Sequence, residues 1–283
     1  MEILKASTGH AGEGLFKIKT KKQKMIRQSF IFLERIGLQK EISIWRQGIT
    51  HWEDFLRQER IAGISKKSKH HYDRCLHAAG KSLLAGDSSF FCSMPEAWRL
   101  YSHFRDECVF LDIETTGVSR ADSVTMVGLY DGQDAKVMIR GINLDIRSLA
   151  EELSHYKLIV TFNGASFDIP FLKRRYPGLI PKIPHIDLRP LCSRVGLSGG
   201  LKQAERMLGI RRNPIVETMY GGDVLRLWKM YRASGDDHYL KLLVEYNEED
   251  AMNLQRLADH VVSKLTARIH DEARICKNTN ITI

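Results

Sequence analysis

The spacing of hydrophobic residues changes character once along the chain, near Cys108. Before that point apolar positions recur at helical intervals and β-branched alternation is absent. Ser29 stands where it would cap a short helix carrying Phe30 and Leu33 and ending near Gly37. A second helix would carry Ile42 and Trp45 and stop near Gly48. Thr50 would cap a third, with Trp52, Phe55 and Leu56 on one face. Longer helices are expected over 67–84 and 95–104, the latter opened by Pro95 at its first position.

Beyond Cys108 the pattern becomes that of strands. Short apolar runs occupy 108–113, 124–130 and 135–140, with turn residues such as Asp131 and Gly132 between them. A helix over about 145–155 leads to a fourth strand at 158–162, and a shorter run near Ile186 is a weaker fifth. Helices fill the remainder, the longest over 238–267. Three strands in a meander, followed by strands alternating with helices, imply an α/β fold with a mixed sheet flanked by helices. The expected divisions are a flexible basic lead at 1–24, a small all-helical region at 25–104, the α/β domain at 105–267 and a tail at 268–283.

Composition narrows the class. The 283 residues are 43% hydrophobic and 27% charged, as in a soluble globular protein. No apolar run approaches the roughly 20 residues that span a bilayer, and the N-terminus has no signal-peptide pattern. The five cysteines are scattered without a C-x-x-C pair, which argues against a disulfide framework or zinc site and fits a reducing cytoplasm. The net charge of +9 is uneven. Residues 1–104 carry 18 Lys and Arg against 10 Asp and Glu, and the rest is almost balanced. A basic segment ahead of a near-neutral body suits either a polyanion binder or an ordinary solvated tail.

Candidate chemistry begins at Phe110-Leu111-Asp112-Ile113-Glu114-Thr115-Thr116-Gly117. On a strand, Asp112 and Glu114 point to one face, an electrostatic conflict that a hard divalent cation would relieve. Asp168 follows the fourth strand and the Asn163-Gly164 turn, with Ser166 as helix cap and Pro170 in the first turn. Near a strand's C-terminal end it is either an active-site group or a complement to the helix dipole. Tyr246 and Asp250, four residues apart in Tyr246-Asn247-Glu248-Glu249-Asp250, share a helical face.

Taken in order, these motifs resemble the DEDD superfamily of ribonuclease H-like 3′→5′ exonucleases, in the tyrosine-bearing branch shared with proofreading domains of DNA polymerases. They are similar to the bacterial YprB-type ribonuclease H-like domain family, as are His185-Ile186-Asp187-Leu188 and Gly222-Asp223-Val224-Leu225-Arg226-Leu227-Trp228. The resemblance implies that Asp112, Glu114, Asp168 and Asp250 hold two divalent ions and that Tyr246 orients the attacking water. It implies Mg²⁺ or Mn²⁺, since no thiolate or histidine cluster selects zinc. The expected activity is 3′→5′ hydrolysis of single-stranded nucleic acid by two ions about 4 Å apart. A non-catalytic nucleic-acid-binding module and an endonuclease for RNA–DNA hybrids are the competing readings.

Other positions have two readings. Asn163 contacts a nucleotide or makes the turn, and Phe167 stacks on a base or belongs to the core. His185 faces the site or forms a structural pair with Asp187. Gly199-Gly200 leads into a helix near Leu201, and Trp228 and Tyr231 read as core. The segment 30–49 resembles a helix-hairpin-helix unit with Arg35 in place of its first glycine, so it binds phosphate or serves as scaffold. Lys66, Lys67 and Lys69 are candidates for nonspecific backbone contacts.

Overall fold

A buried carboxylate organises the N-terminal part of the computed structural model, which describes residues 25–278. The basic lead at 1–24 lies outside the described residues. Helices α1 (Leu38–Arg46), α2 (Trp52–Arg57), α3 (Lys66–Leu84) and the single turn α4 (Tyr101–Phe104) build this part. The helix expected from Ser29 does not form. Glu41, on α1, accepts N–H bonds from Phe30 at 2.6 Å and Ile31 at 3.2 Å and a hydroxyl bond from Ser29. The indoles of Trp45 and Trp52 donate to the carbonyls of Gln28 and Ser29. Backbone groups satisfied by side chains have no need of a helical ladder, and the chain turns instead. Arg99 pairs with Glu41 at 2.7 Å and supplies the charge that this buried acid requires.

Three further expectations change. The helix α2 starts at Trp52, and Asp54 reaches back to the N–H groups of Thr50 and His51, so Thr50 is not its cap. The helix expected over 95–104 splits into a 3₁₀ turn, Ala97–Leu100, and α4. Lys69 is buried, its ammonium 2.7 Å from Asp73 and over the ring of Phe55, so it is not available to a polyanion. Arg35 adopts the left-handed conformation (φ 62°) that a glycine would take without strain.

Five strands form one mixed sheet in the order β3-β2-β1-β4-β5. They are β1 (Cys108–Thr115), β2 (Val124–Tyr130), β3 (Ala135–Ile139), β4 (Leu158–Thr161) and β5 (His185–Asp187). The first three make an antiparallel meander, and β4 and β5 run parallel to β1. Parallel neighbours need crossovers, supplied by α5 (Ile146–Ser154) before β4 and α6 (Asp168–Arg175) before β5. Helices α7 (Leu188–Arg194), α8 (Leu201–Met207), α9 (Pro214–Glu217), α10 (Gly221–Ser234) and α11 (Asp237–Asn278) follow. The last extends beyond the 238–267 read from the sequence.

Alternation along β1 divides the core. Val109, Leu111 and Ile113 pack with Leu149 and Leu153 of α5 and Leu172 of α6. Cys108 and Phe110 face the other way, into a cluster that runs unbroken from Phe30 and Trp52 to Leu257 of α11. The N-terminal helices and the sheet therefore share one core.

On this second face α11 crosses β1 and β2 at Gly128. A Cβ there would lie 2.5 Å from Oδ1 of Asn247 and 3.0 Å from its carbonyl oxygen. Only glycine lets the helix come this close, and Gly128 is the cross-strand partner of Asp112. Gly128→Ala should destabilise the fold by about 1–3 kcal/mol through overpacking and displace α11 from β1. Thermal denaturation checks the first effect, and a crystal structure of the variant checks the second.

Candidate active site

Residues of β1, α6 and α11 converge at the end of β1. The strand places Asp112 and Glu114 on the α11 side, past the apolar Cys108 and Phe110. From α11, Asn247 donates to Oδ2 of Asp112 at 2.8 Å. Asp250, one turn further along, brings its carboxylate to the pair. Ligand oxygens of Asp112, Glu114 and Asp250 all lie within 4.8 Å of one another. Asp250 is buried, while Asp112 and Glu114 keep partial exposure and open the cluster to solvent.

Asp168 opens α6 and is buried. Its Oδ1 accepts the N–H of Ile113, between the two strand carboxylates, at 3.2 Å. It thus flanks the cluster without belonging to the three oxygens that meet. Ser166 does not cap α6, because its hydroxyl donates to the carbonyl and side chain of Asn163.

Three like charges in a tight, buried space raise one another's affinity for protons. Burial, then Asp250, Glu114 and Asp168, push Asp112 well above the usual carboxylate range. Burial, assisted by Asp250 and Asp168, pushes Glu114 up to about 8. Asp168 rises to about 7 mainly by burial, and Asp250 to about 6, where Arg212 opposes the burial effect. The donor set is all carboxylate oxygen, half-open and short of positive charge, which suits a hard divalent cation.

Tyr246 is one turn before Asp250 and almost wholly buried. Two cations approach its ring, Lys202 Nζ at 5.0 Å and the Arg212 guanidinium at 6.0 Å from its centre. Burial and the three neighbouring carboxylates push its phenol far above the ordinary range, so it stays protonated. Lys202 is fixed by the carbonyls of Val216 (2.6 Å), Glu217 (3.2 Å) and Met219 at the end of α9.

The remaining candidates occupy the turn beside the cluster. Asn163 has φ 66°, a conformation asparagine tolerates, and its side-chain oxygen accepts from Ser166 and Arg189 within the turn. Phe167 is partly buried against Phe171, with ring centres 5.6 Å apart. His185 bonds Thr161 at 2.8 Å and is held neutral by burial, its pKa lowered to about 4. The pairing of His185 with Asp187 does not occur. Asp187 instead accepts the N–H groups of Asn163, Ala165 and Arg189, tying β4's turn to α7.

Asn247, Glu205, Arg212 and Lys202 went unnoticed in the sequence. Asn247 sits inside the Tyr-x-x-x-Asp motif, on the face turned to Gly128, and helical spacing could have found it. Nothing local distinguishes Arg212, which is buried, from Arg211, which is exposed.

Residues 109–262 match the family model RNase_H_2, described as RNase_H superfamily. No curated protein matches the chain significantly. Similar solved structures include the family B DNA polymerase from the archaeon Pyrobaculum calidifontis, at 18% identity and TM-score 0.47, over 59% of this chain and 25% of that one. The chain thus spans about a quarter of that polymerase. Brucella melitensis NrnC aligns at 15% identity and TM-score 0.38, over 62% and 83% of the two chains. The Aedes aegypti Nibbler EXO domain aligns at 15% and 0.37, over 64% and 91%.

The raised carboxylates set a stability profile for the metal-free protein. Between about pH 4 and pH 8 the folded chain holds protons that the unfolded chain has released, so folding stability falls as pH rises through this window. In EDTA the melting temperature should be higher at pH 5.5 than at pH 8, and Mn²⁺ should restore most of the loss at pH 8. Differential scanning calorimetry reads both effects, and a melting temperature that Mn²⁺ leaves unmoved would count against a cation site.

Proposed function

The chain belongs to the RNase H superfamily, and from that premise we propose that it is a divalent-metal-dependent nuclease, a 3′→5′ exonuclease acting on single-stranded nucleic acid. The observation that carries this reading is the convergence of Asp112, Glu114 and Asp250 within 4.8 Å, beside Asp168 and one turn after Tyr246. The order of these groups along the chain supports placement in the tyrosine-bearing DEDD branch, near the YprB-type domains.

Asp112, Glu114, Asp168 and Asp250 would hold Mg²⁺ or Mn²⁺. When bound, two such ions supply an activated water and neutralise charge developing on the leaving oxygen. The protein's own groups do the rest. Asn247 fixes the orientation of Asp112. Tyr246 keeps its proton, so its hydroxyl can hold a water in line with a phosphodiester while remaining uncharged. The partial exposure of Asp112 and Glu114 leaves room for a strand end on their side. His185, Asn163 and Phe167 shape the neighbouring turn, and we assign them support of that wall ahead of nucleotide contact.

Oligonucleotides labelled at the 5′ end, single-stranded, duplex and RNA–DNA hybrid, test the reading in Mg²⁺ and Mn²⁺. A ladder shortening from the 3′ end is expected, fastest on single strands. Cuts within a circular substrate would replace the exonuclease by an endonuclease. Asp112→Ala, Glu114→Ala and Asp250→Ala should each abolish hydrolysis while the fold persists by circular dichroism. Full activity in these variants or in excess EDTA would exclude a metal-dependent nuclease. Tyr246→Phe should slow turnover roughly 10²-fold, the cost of misplacing a reacting group, with Mn²⁺ affinity unchanged.

A further inference from the structure

Next to Asp250 lies a charge pair for which the reaction has no direct use. The side chain of Arg212 is 0% exposed and that of Glu205 1%. Nε and Nη2 of Arg212 donate to the two oxygens of Glu205, each at 2.6 Å. The remaining nitrogen, Nη1, lies 2.5 Å from Oδ1 of Asp250. The guanidinium thus stands between a carboxylate on α8, which it hydrogen-bonds, and one on α11, with which it forms an ion pair. Asn213, the next residue, donates its N–H to Glu249 at 2.9 Å and its side chain to Glu245. The end of the loop between α8 and α9 is therefore pinned to the part of α11 that carries Asp250.

Sealed from solvent, Arg212 cannot touch a substrate strand, so any effect on the chemistry passes through Asp250. Glu205 and Arg212 together are formally neutral and add no net charge to the cluster. What they add is a fixed position, because a guanidinium locked by its fork onto Glu205 holds Nη1 in a close ion pair with Oδ1 of Asp250, outside hydrogen-bond geometry, and so limits where that carboxylate can sit. Stability alone does not account for the pair, since well-packed apolar residues often serve as well as a buried ion pair. Groups that orient metal ligands in this way are worth about 10–100-fold in affinity.

We infer that Glu205 and Arg212 are positioning residues, a clamp that presents the Asp250 carboxylate to a divalent ion. The inference rests on the reading of Asp250 as a metal ligand. Lys202, one turn before Glu205 on α8, secures Tyr246 from the same side, so α8 supports both catalytic groups of α11.

The test is Mn²⁺ binding by the full chain, followed through the electron paramagnetic resonance signal of free Mn²⁺, together with thermal denaturation. Arg212→Met alone leaves Glu205 buried without its partner and should lower the melting temperature markedly. The double variant Arg212→Met with Glu205→Leu keeps the net charge and should regain most of that stability. Its Mn²⁺ dissociation constant should nonetheless rise about tenfold or more. Arg212→Lys also keeps the charge but cannot fork onto Glu205 while reaching Asp250, so its Mn²⁺ affinity should fall too. A double variant, or a folded Arg212→Lys, that binds Mn²⁺ as tightly as the wild type would show the pair to be merely structural. Absence of Mn²⁺ binding by the wild type would overturn the metal reading itself, and the clamp with it.

Discussion

The close approach of α11 to the sheet at Gly128 is the constraint on which the rest of the site depends. A strand and a helix normally keep their side chains between them. Here the strand offers none at this position, and Asn247 of the helix takes the space beside the cross-strand partner of Gly128, Asp112. That contact fixes both the depth and the rotation of α11. With Asn247 seated on Asp112, Tyr246 and Asp250 have no freedom left in where they face. The carboxylates of β1 and α11 meet because one glycine lets the helix down onto the strand.

The molecule treats its buried charges in two ways. Glu41 meets Nη1 of Arg99 and Glu205 the planar fork of Arg212, so each acid is answered by a guanidinium. The acids at the end of β1 are left short. Arg212 offers one nitrogen to Asp250 and Asn247 one amide to Asp112, against the charge of Asp112, Glu114, Asp168 and Asp250. A fold that neutralises its other buried acids with care leaves this group uncompensated, and desolvation then drives the carboxyls upward in pKa. The deficit is local, half-open and made of oxygen ligands alone.

Much of the fold was legible in the chain because it rests on local periodicity. The strands at 108, 124, 135 and 158 and the weak fifth near Ile186 all exist, since alternation and short apolar runs are local properties. The failures share a cause. The helix expected at Ser29 lost to a carboxylate 12 residues away in sequence, and the helix over 95–104 broke where Arg99 turns inward to meet that same carboxylate. Ser166 spends its hydroxyl on Asn163, and the partners of His185 and Asp187 are Thr161 and the turn at 163–165. Side chains that bond distant backbone leave no periodic trace.

The acidic motifs were visible because each lies within a few residues of itself: Asp112 with Glu114 at strand spacing, Tyr246 with Asp250 at helical spacing. Sequence alone determined that each pair shares a face, which follows from backbone geometry. Only the tertiary structure decided that these faces meet, that Asp168 stands to one side holding the backbone of Ile113, and that Arg212 and not Arg211 turns inward to Asp250. The physical reason is separation along the chain. Asn247 and Asp112 are 135 residues apart, and their contact is set by how closely a helix can pack on a sheet at a single glycine.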